Sequence, residues 1–184
     1  MNLQIRLAAQ AIEAGGVIAY PTEAVWGLGC DPFNPIAVER LLRLKARPLA
    51  KGLILVAAHW QQLDWLLHDL TPAQQSTMKE TWPGPNTWLV PHRGRVPQWL
   101  SGNFDTIAVR VSAHPTVIQL CLEAGGPLVS TSANLATTQA ATQIFQVRRY
   151  FGKALDYIVP GALGKSTAPS IIRDLRTGQV IRAG

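Results

Sequence analysis

Short apolar runs, each closed by proline, glycine or a cluster of polar side chains, recur along this chain and restrict it to one class of fold. Val17-Ile18-Ala19-Tyr20 stops at Pro21, and Leu53-Ile54-Leu55-Val56 follows Gly52. Similar runs cover Thr87–Val90, Thr106–Val111 and Pro127–Ser130, with shorter ones at Tyr157–Val159, Ser170–Ile172 and Gln179–Ile181. A brief apolar run bounded by turn residues is the pattern of a buried strand. Between these runs the period becomes helical. Leu3, Leu7, Ala8, Ala11 and Ile12 share one face, and Gly15-Gly16 ends that helix. Asn34-Pro35 supplies an N-cap and a first-turn proline for a helix through Leu44 that stops before Pro48. Further helices are expected at Leu63–Leu67, after Thr71-Pro72, at Thr116–Ala124 and at Ile144–Phe151. Trp82-Pro83-Gly84-Pro85 fits neither element and is a rigid loop.

Helices alternate with strands, but two strand pairs read as hairpins. The expectation is an α/β fold with a twisted mixed sheet, parallel and antiparallel, flanked by helices. No linker, repeat or low-complexity stretch divides the 184 residues, so a single domain over 1–184 is expected. With 47% hydrophobic and 15% charged residues, disorder is excluded. A net charge of +6, carried more by Arg than by Lys, fits a phosphate- or carboxylate-rich partner, and equally a merely soluble surface. Cys30 and Cys121 form no disulfide framework or metal motif, and His59, His68, His92 and His114 lack ligand spacing. No protein metal site, signal segment or membrane span is expected, and a cytoplasmic setting is.

Five polar segments adjoin the apolar runs, where α/β proteins bind ligands. Pro21–Gly29 reads as a strand-to-helix turn, with Thr22 offering a hydroxyl and Trp26 either a stacking surface or a core side chain. Lys45-Ala46-Arg47-Pro48-Leu49-Ala50-Lys51 places three cations at a helix end beside a strand; they serve the helix dipole or an anion. Ser130-Thr131-Ser132-Ala133-Asn134 offers small donors and acceptors, or an ordinary turn. Arg110 interrupts an apolar strand and either faces solvent or needs an anion. Ser170 begins another strand. None of these is a Walker A loop or a dinucleotide fingerprint, and no Ser-His-Asp arrangement can be argued from spacing.

In this order PTEAVWGLG, KARPLAKGLILV, WPGPNTW, IAVRVSAHP, PLVSTSAN and APSIIRDL resemble the YrdC/TsaC family, the threonylcarbamoyl-AMP synthases, from about Gly16 to Arg182. The length resembles the short bacterial form. The resemblance implies a YrdC-like fold with a basic concave face. It implies that L-threonine, bicarbonate and ATP, with Mg²⁺, give threonylcarbamoyl-adenylate and pyrophosphate. Partner proteins then use the adenylate to form N6-threonylcarbamoyladenosine beside the anticodon of tRNA. By the same resemblance Lys45 and Arg47 meet the phosphates and the carbamate as the catalytic cations, assisted by Lys51. Ser130, Ser132, Asn134, Thr106 and Arg182 lie toward the nucleotide. Thr22, Trp26, Arg110 and Ser170 lie toward threonine. Trp26 stands where the family usually has Tyr or Phe, Ala24 replaces a second Thr, Leu135-Ala136-Thr137 replaces Leu-Ser-Gly, and His59 sits later than the family's His. Two other readings are a non-catalytic module holding tRNA or double-stranded RNA on the basic face, and carbamoyl transfer to another acceptor. The absence of acylphosphatase-like and zinc-finger segments counts against the second.

Overall fold

The computed structural model describes residues 2–183. In chain order its elements are α1 (Leu3–Glu13), β1 (Ile18–Pro21), β2 (Trp26–Gly29), α2 (Pro35–Leu44), β3 (Ile54–Ala57), α3 (Asp64–Leu67), α4 (Pro72–Lys79), β4 (Asn86–Pro91), α5 (Gln98–Ser101), β5 (Thr106–Val111), α6 (Pro115–Glu123), β6 (Leu128–Ser132), α7 (Ile144–Phe151), β7 (Tyr157–Ile158), β8 (Ile171–Asp174) and β9 (Val180–Arg182). The strands form one sheet in the order β7-β1-β2-β6-β3-β5-β4-β8-β9. The β1–β7, β3–β5 and β4–β8 pairs are parallel and the other neighbours antiparallel, so the expected mixed sheet is present.

Helix ends follow their local chemistry. Asn34 Oδ1 accepts from the backbone N–H of Ile36 and Ala37 at the start of α2. Thr71 and Gln74 close a capping box on α4. The Trp82-Pro83-Gly84-Pro85 stretch forms turns leading into β4, as its composition requires.

Strand alternation divides the core between the two faces of the sheet. On one face Ala19, Leu28, Leu55, Ala57, Val109 and Val111 pack against Val38 and Leu41 of α2, Leu66 and Leu67 of α3, Met78 of α4 and Phe151 of α7. On the other face Ile18, Tyr20, Val56 and Leu128 pack against Ile5, Ala8 and Ile12 of α1 and Val117, Leu120 and Cys121 of α6. Burying each large side chain of this kind contributes roughly 2 kcal/mol. The two helices α1 and α6 pack on β1, β3 and β7, and among the described residues no comparable helix lies over the β5–β4–β8 part of that face.

The short helix α5 has no counterpart in the sequence reading and several strands are shifted by a residue or two; two of the differences bear on the site. Pro21–Gly29 is not a turn throughout: residues 22–25 turn, and Trp26–Gly29 is strand β2, paired with β1 in register Tyr20↔Gly27. Its glycines hide the strand from hydropathy, yet the packing needs one of them. A Cβ at Gly29 would meet the Val129 carbonyl oxygen at 2.5 Å and Tyr20 Cε1 at 2.8 Å. Likewise β6 continues through Ser132, because Thr131 and Ser132 pair with Leu28 and Gly27. The polar run there is strand through Ser132 and turns only at Ala133-Asn134.

Candidate functional site

The register brings the site residues together. Val56 stands opposite Arg110 and Leu128, and Thr87 lies beside Arg110 across β4–β5. Ile172 of β8 pairs with both Thr87 and Arg182. Arg182, Ile172, Thr87 and Arg110 thus form one row that continues into the covered core residues Val56 and Leu128. The neighbouring row holds Ala108, Ile54 and Ser130, and Ser132 faces Gly27 one step further. Apart from Ile54 these side chains are small, and they leave a hollow where the covering helices end.

The hollow is a cavity of about 220 Å³. Thr22, Glu23, Trp26, Arg47, Arg110, Ser130, Thr131, Ser132, Ser170 and Arg182 line it, with Leu53, Ile54, Pro85, Ala140, Ala168 and Pro169 among the apolar contributors. Of the residues picked out by sequence, Thr22, Trp26, Arg47, Arg110, Ser130, Ser132, Ser170 and Arg182 reach the wall. Lys45, Lys51, Thr106 and Asn134 do not. Thr106 shares Arg110's face of β5 by alternation but is buried at the strand's start. Lys51 is exposed beside the cavity.

The turn after α2 explains why Lys45 and Arg47 part company. Ala46 adopts a left-handed conformation (φ 49°), while Arg47 N–H donates to Leu42 and Ala46 N–H to Arg43. This is a Schellman turn with alanine in the place glycine usually fills. It sends Lys45 inward and Arg47 to the cavity. Lys45 Nζ donates to the Ser132 carbonyl, to the Asn134 carbonyl at 2.9 Å and to Asn134 Oδ1 at 3.2 Å. Ser132 Oγ donates to the same Asn134 Oδ1 at 2.6 Å, and Asn134 Nδ2 donates to the Leu135 and Thr138 carbonyls. Asn134 is therefore occupied by its own loop. Burial, reinforced by the Arg47 charge, lowers the Lys45 pKa to about 8.

Arg47 Nη2 donates to the Gly52 carbonyl at 2.9 Å, and its buried Nε has no partner. Burial and then the Arg182 charge disfavour the Arg47 cation, just as burial and then Arg110 disfavour that of Arg182. Three guanidiniums crowd one cavity, a setting that anions relieve. Arg182 Nη2 also donates to the Ser170 carbonyl at 2.8 Å, and Ser170 Oγ lies 2.8 Å from Thr87 Oγ1. Thr22 Oγ1 donates to the Val25 carbonyl at 2.7 Å, which leaves it an acceptor toward a ligand. Trp26 is buried in the core, as one of its two readings has it, and part of its surface also lines the cavity.

The alternatives for Arg110 also resolve: it is buried and has an anion, Glu23 Oε2 at 3.2 Å. Glu23 and Thr131 are cavity residues absent from the sequence-based set. Glu23 directly follows Thr22 in the sequence, but only the folded chain shows that the turn at residues 22–25 carries it to Arg110. Burial would raise the Glu23 carboxyl pKa. The Arg110 charge, then bonds from Ser112 and Ala113, outweigh this and hold it below its ordinary value.

A second cavity is larger, about 1030 Å³, between α1, the end of α6, Phe33 and Trp65. Glu13, Asp31 and Glu123 border it together with Arg6 and Arg95. Size favours it, but its carboxylates oppose an anionic ligand, and the polar segments of the sequence lie elsewhere.

A mixed α/β sheet whose open half carries converging arginines and hydroxyls defines a binder of small anions with the donors suited to nucleotide chemistry. The Sua5/YciO/YrdC family model, described as telomere recombination, matches residues 10–184, and the chain belongs to that family. It is 58% identical to a threonylcarbamoyl-AMP synthase of Pseudomonas paraeruginosa over 98% of this chain and 97% of that protein. It is 56% identical to one of Nitrosococcus oceani, again over 98% of each. Among solved structures, P. abyssi Sua5 complexed with L-threonine superposes with a TM-score of 0.88 at 32% identity, over 96% of this chain but only 52% of that longer one. E. coli YciO does so at 0.85 and 28% identity, over 99% and 90%.

Proposed function

We propose that this chain joins L-threonine, bicarbonate and ATP into threonylcarbamoyl-adenylate with release of pyrophosphate. The observation that carries the reading is the convergence of Arg47, Arg110 and Arg182 with Ser130, Ser132 and Ser170 on one cavity. The names and lengths of its close relatives support it. The threonine amine and bicarbonate give a carbamate and water. A carbamate oxygen attacks the α-phosphorus of ATP, and pyrophosphate carries away the bonding electrons. Every reactant is anionic, so the work is charge neutralisation and alignment rather than covalent attack by a side chain.

In this reading Arg47 and Arg182 face phosphate, and Ser130 and Ser132 supply further hydrogen bonds. Lys45 keeps its catalytic importance but acts from behind, fixing the Ser132–Asn134 segment while adding positive potential. Lys51 and Thr106 stand outside the wall and contribute less. Arg110 takes the threonine carboxylate, with Thr22 and Ser170 beside it and Trp26 packing against the amino acid. Mg²⁺ would come with the nucleotide and neutralise phosphate charge; the cavity's carboxylate, Glu23, is committed to Arg110, Ser112 and Ala113 and would not hold it. The adenylate passes to partner proteins that modify tRNA.

A purely RNA-holding module would place its cations and aromatic rings on an exposed surface. Here Arg110 and Trp26 are buried. No helix among the described residues is long and apolar enough to cross a membrane. The test is product identification with ¹³C-bicarbonate, ATP and threonine by mass spectrometry. Labelled threonylcarbamoyl-adenylate is expected. Formation of pyrophosphate without threonine, or a product lacking the label, contradicts the reading.

A further inference from the structure

We propose that Glu23 is a positioning residue that reserves Arg110 for the amino-acid carboxylate and keeps it away from the nucleotide phosphates. The inference rests on the assignment of the cavity to ATP and threonine. It begins from a charge asymmetry: three guanidiniums line the cavity, and among its lining residues Glu23 carries the one carboxylate. A triphosphate entering such a site attracts all three cations. Only a fixed local counter-charge keeps one of them at the far end of the hollow.

Glu23 is built to supply it. Its Oε1 accepts from Ser112 Oγ at 2.6 Å and from the Ala113 N–H at 3.2 Å, which locks the carboxylate to the end of β5, the strand that bears Arg110. Its Oε2 lies 3.2 Å from Arg110 Nη2 but makes no aligned hydrogen bond, and Arg110 Nε is likewise unpartnered and buried. The pair is thus an electrostatic tether, not a two-pronged fork. Arg110 keeps hydrogen-bonding capacity for a second carboxylate. Glu23 Oε2 is itself buried, so the residue acts through Arg110 and not on the substrate.

The backbone of Glu23 extends the same role. Its carbonyl accepts from Ser166 N–H at 3.1 Å, while Gly164 N–H donates to Thr22 at 2.9 Å. A Cβ at Gly164 would lie 2.8 Å from the Glu23 carbonyl oxygen. The segment leading to Ser170 is therefore seated on Glu23, and one residue sets Arg110 and the approach to Ser170 together.

The experiment is steady-state kinetics of Glu23→Gln and Glu23→Asp, with threonine and ATP varied separately, alongside threonine binding followed by Trp fluorescence. Glu23→Gln preserves an acceptor for Ser112 but removes the charge facing Arg110. The expected result is a threonine KM and dissociation constant raised about tenfold or more, as for loss of a charged partner. The ATP KM stays within about twofold, and Glu23→Asp recovers part of the loss. Equal increases for threonine and ATP, or no change in either, overturn the inference. Should Glu23→Gln fail to fold, Ser112→Ala, which removes the shorter of the two bonds that hold Oε1, must show the same selective threonine effect in smaller degree. A wild-type protein that binds no threonine defeats the assignment of the cavity itself, whereas an active wild type with an indifferent Glu23→Gln defeats only the role of Glu23.

Discussion

One face of one sheet is a core where α1 and α6 cover β1, β3 and β6, and a cavity where β3 and β6 run on past those helices toward Arg110 of β5, Ser170 and Arg182; a few side chains make the difference. In the covered half Ile18, Tyr20, Val56 and Leu128 meet α1 and α6. One step along the same strands, Ser130 follows Leu128 on its face of β6, and Ala108 precedes Arg110 on β5. Where the row is large and apolar, a helix settles on it. Where it is small, hydroxylic or cationic, nothing apolar can settle, and an anion can. Stability and binding are therefore written into alternate residues of the same strands, which makes them separable by mutation.

The largest expected effect is on the open half. Arg47→Ala should lower kcat/KM by roughly a hundred- to a thousandfold, the scale for removing one donor to developing charge. Circular dichroism and Tm should stay near wild type, since the side chain's protein bonds are to loop carbonyls. Next comes the covered half. Leu128→Ala should destabilise by about 2–4 kcal/mol in urea unfolding while leaving the threonine and ATP KM values unchanged. A binding defect in that variant would break the separation.

A smaller effect is expected from Ser130→Val, which extends the apolar character of β6 into the hollow. Nucleotide affinity should fall about tenfold by titration calorimetry, as for a lost hydrogen bond to a charged ligand, with stability unchanged or raised. Alkaline titration separates the two properties in another way. The Lys45 pKa of about 8 lies below its ordinary value, so the cation is present at neutral pH and is lost as pH rises through 8. Activity should fall across that range. Above it, up to the ordinary lysine pKa, the unfolded chain binds the additional proton, so the contribution of Lys45 to stability rises with pH. The opposed slopes, from initial rates and chemical denaturation, should both vanish in Lys45→Met. The smallest effect is Ala46→Gly, expected to stabilise by up to about 1 kcal/mol through relief of the left-handed alanine, with kinetics unchanged.

The sequence disclosed the helices best, because caps and periodicity are local. Asn34, Thr71 and the apolar faces of α1 and α7 needed no tertiary information. It concealed β2, since Gly27 and Gly29 contribute no hydropathy and Gly29 owes its place to the Val129 carbonyl and the Tyr20 ring packed against it. Hydroxyls and cations at strand ends exposed most of the cavity wall, including Arg47, Ser130 and Ser170. The pairing of Glu23 with Arg110 depends on how the turn at residues 22–25 is folded back over β5, and spacing along a chain carries no such tertiary information. Lys45 shows the converse. Its neighbourhood was legible, but the turn at Ala46 that directs it beneath Ser132 and Asn134 rather than into the cavity was not.

Hydrogen exchange on the wild-type protein, with and without ATP plus threonine, tests most directly that the open half of the sheet face is where the substrates meet. The account predicts slowed amide exchange in residues 22–27, 47–54 and 130–134, with none in the borders of the larger cavity at residues 6–13 and 123–127. Protection confined to that larger cavity, with the open half unchanged, would contradict it.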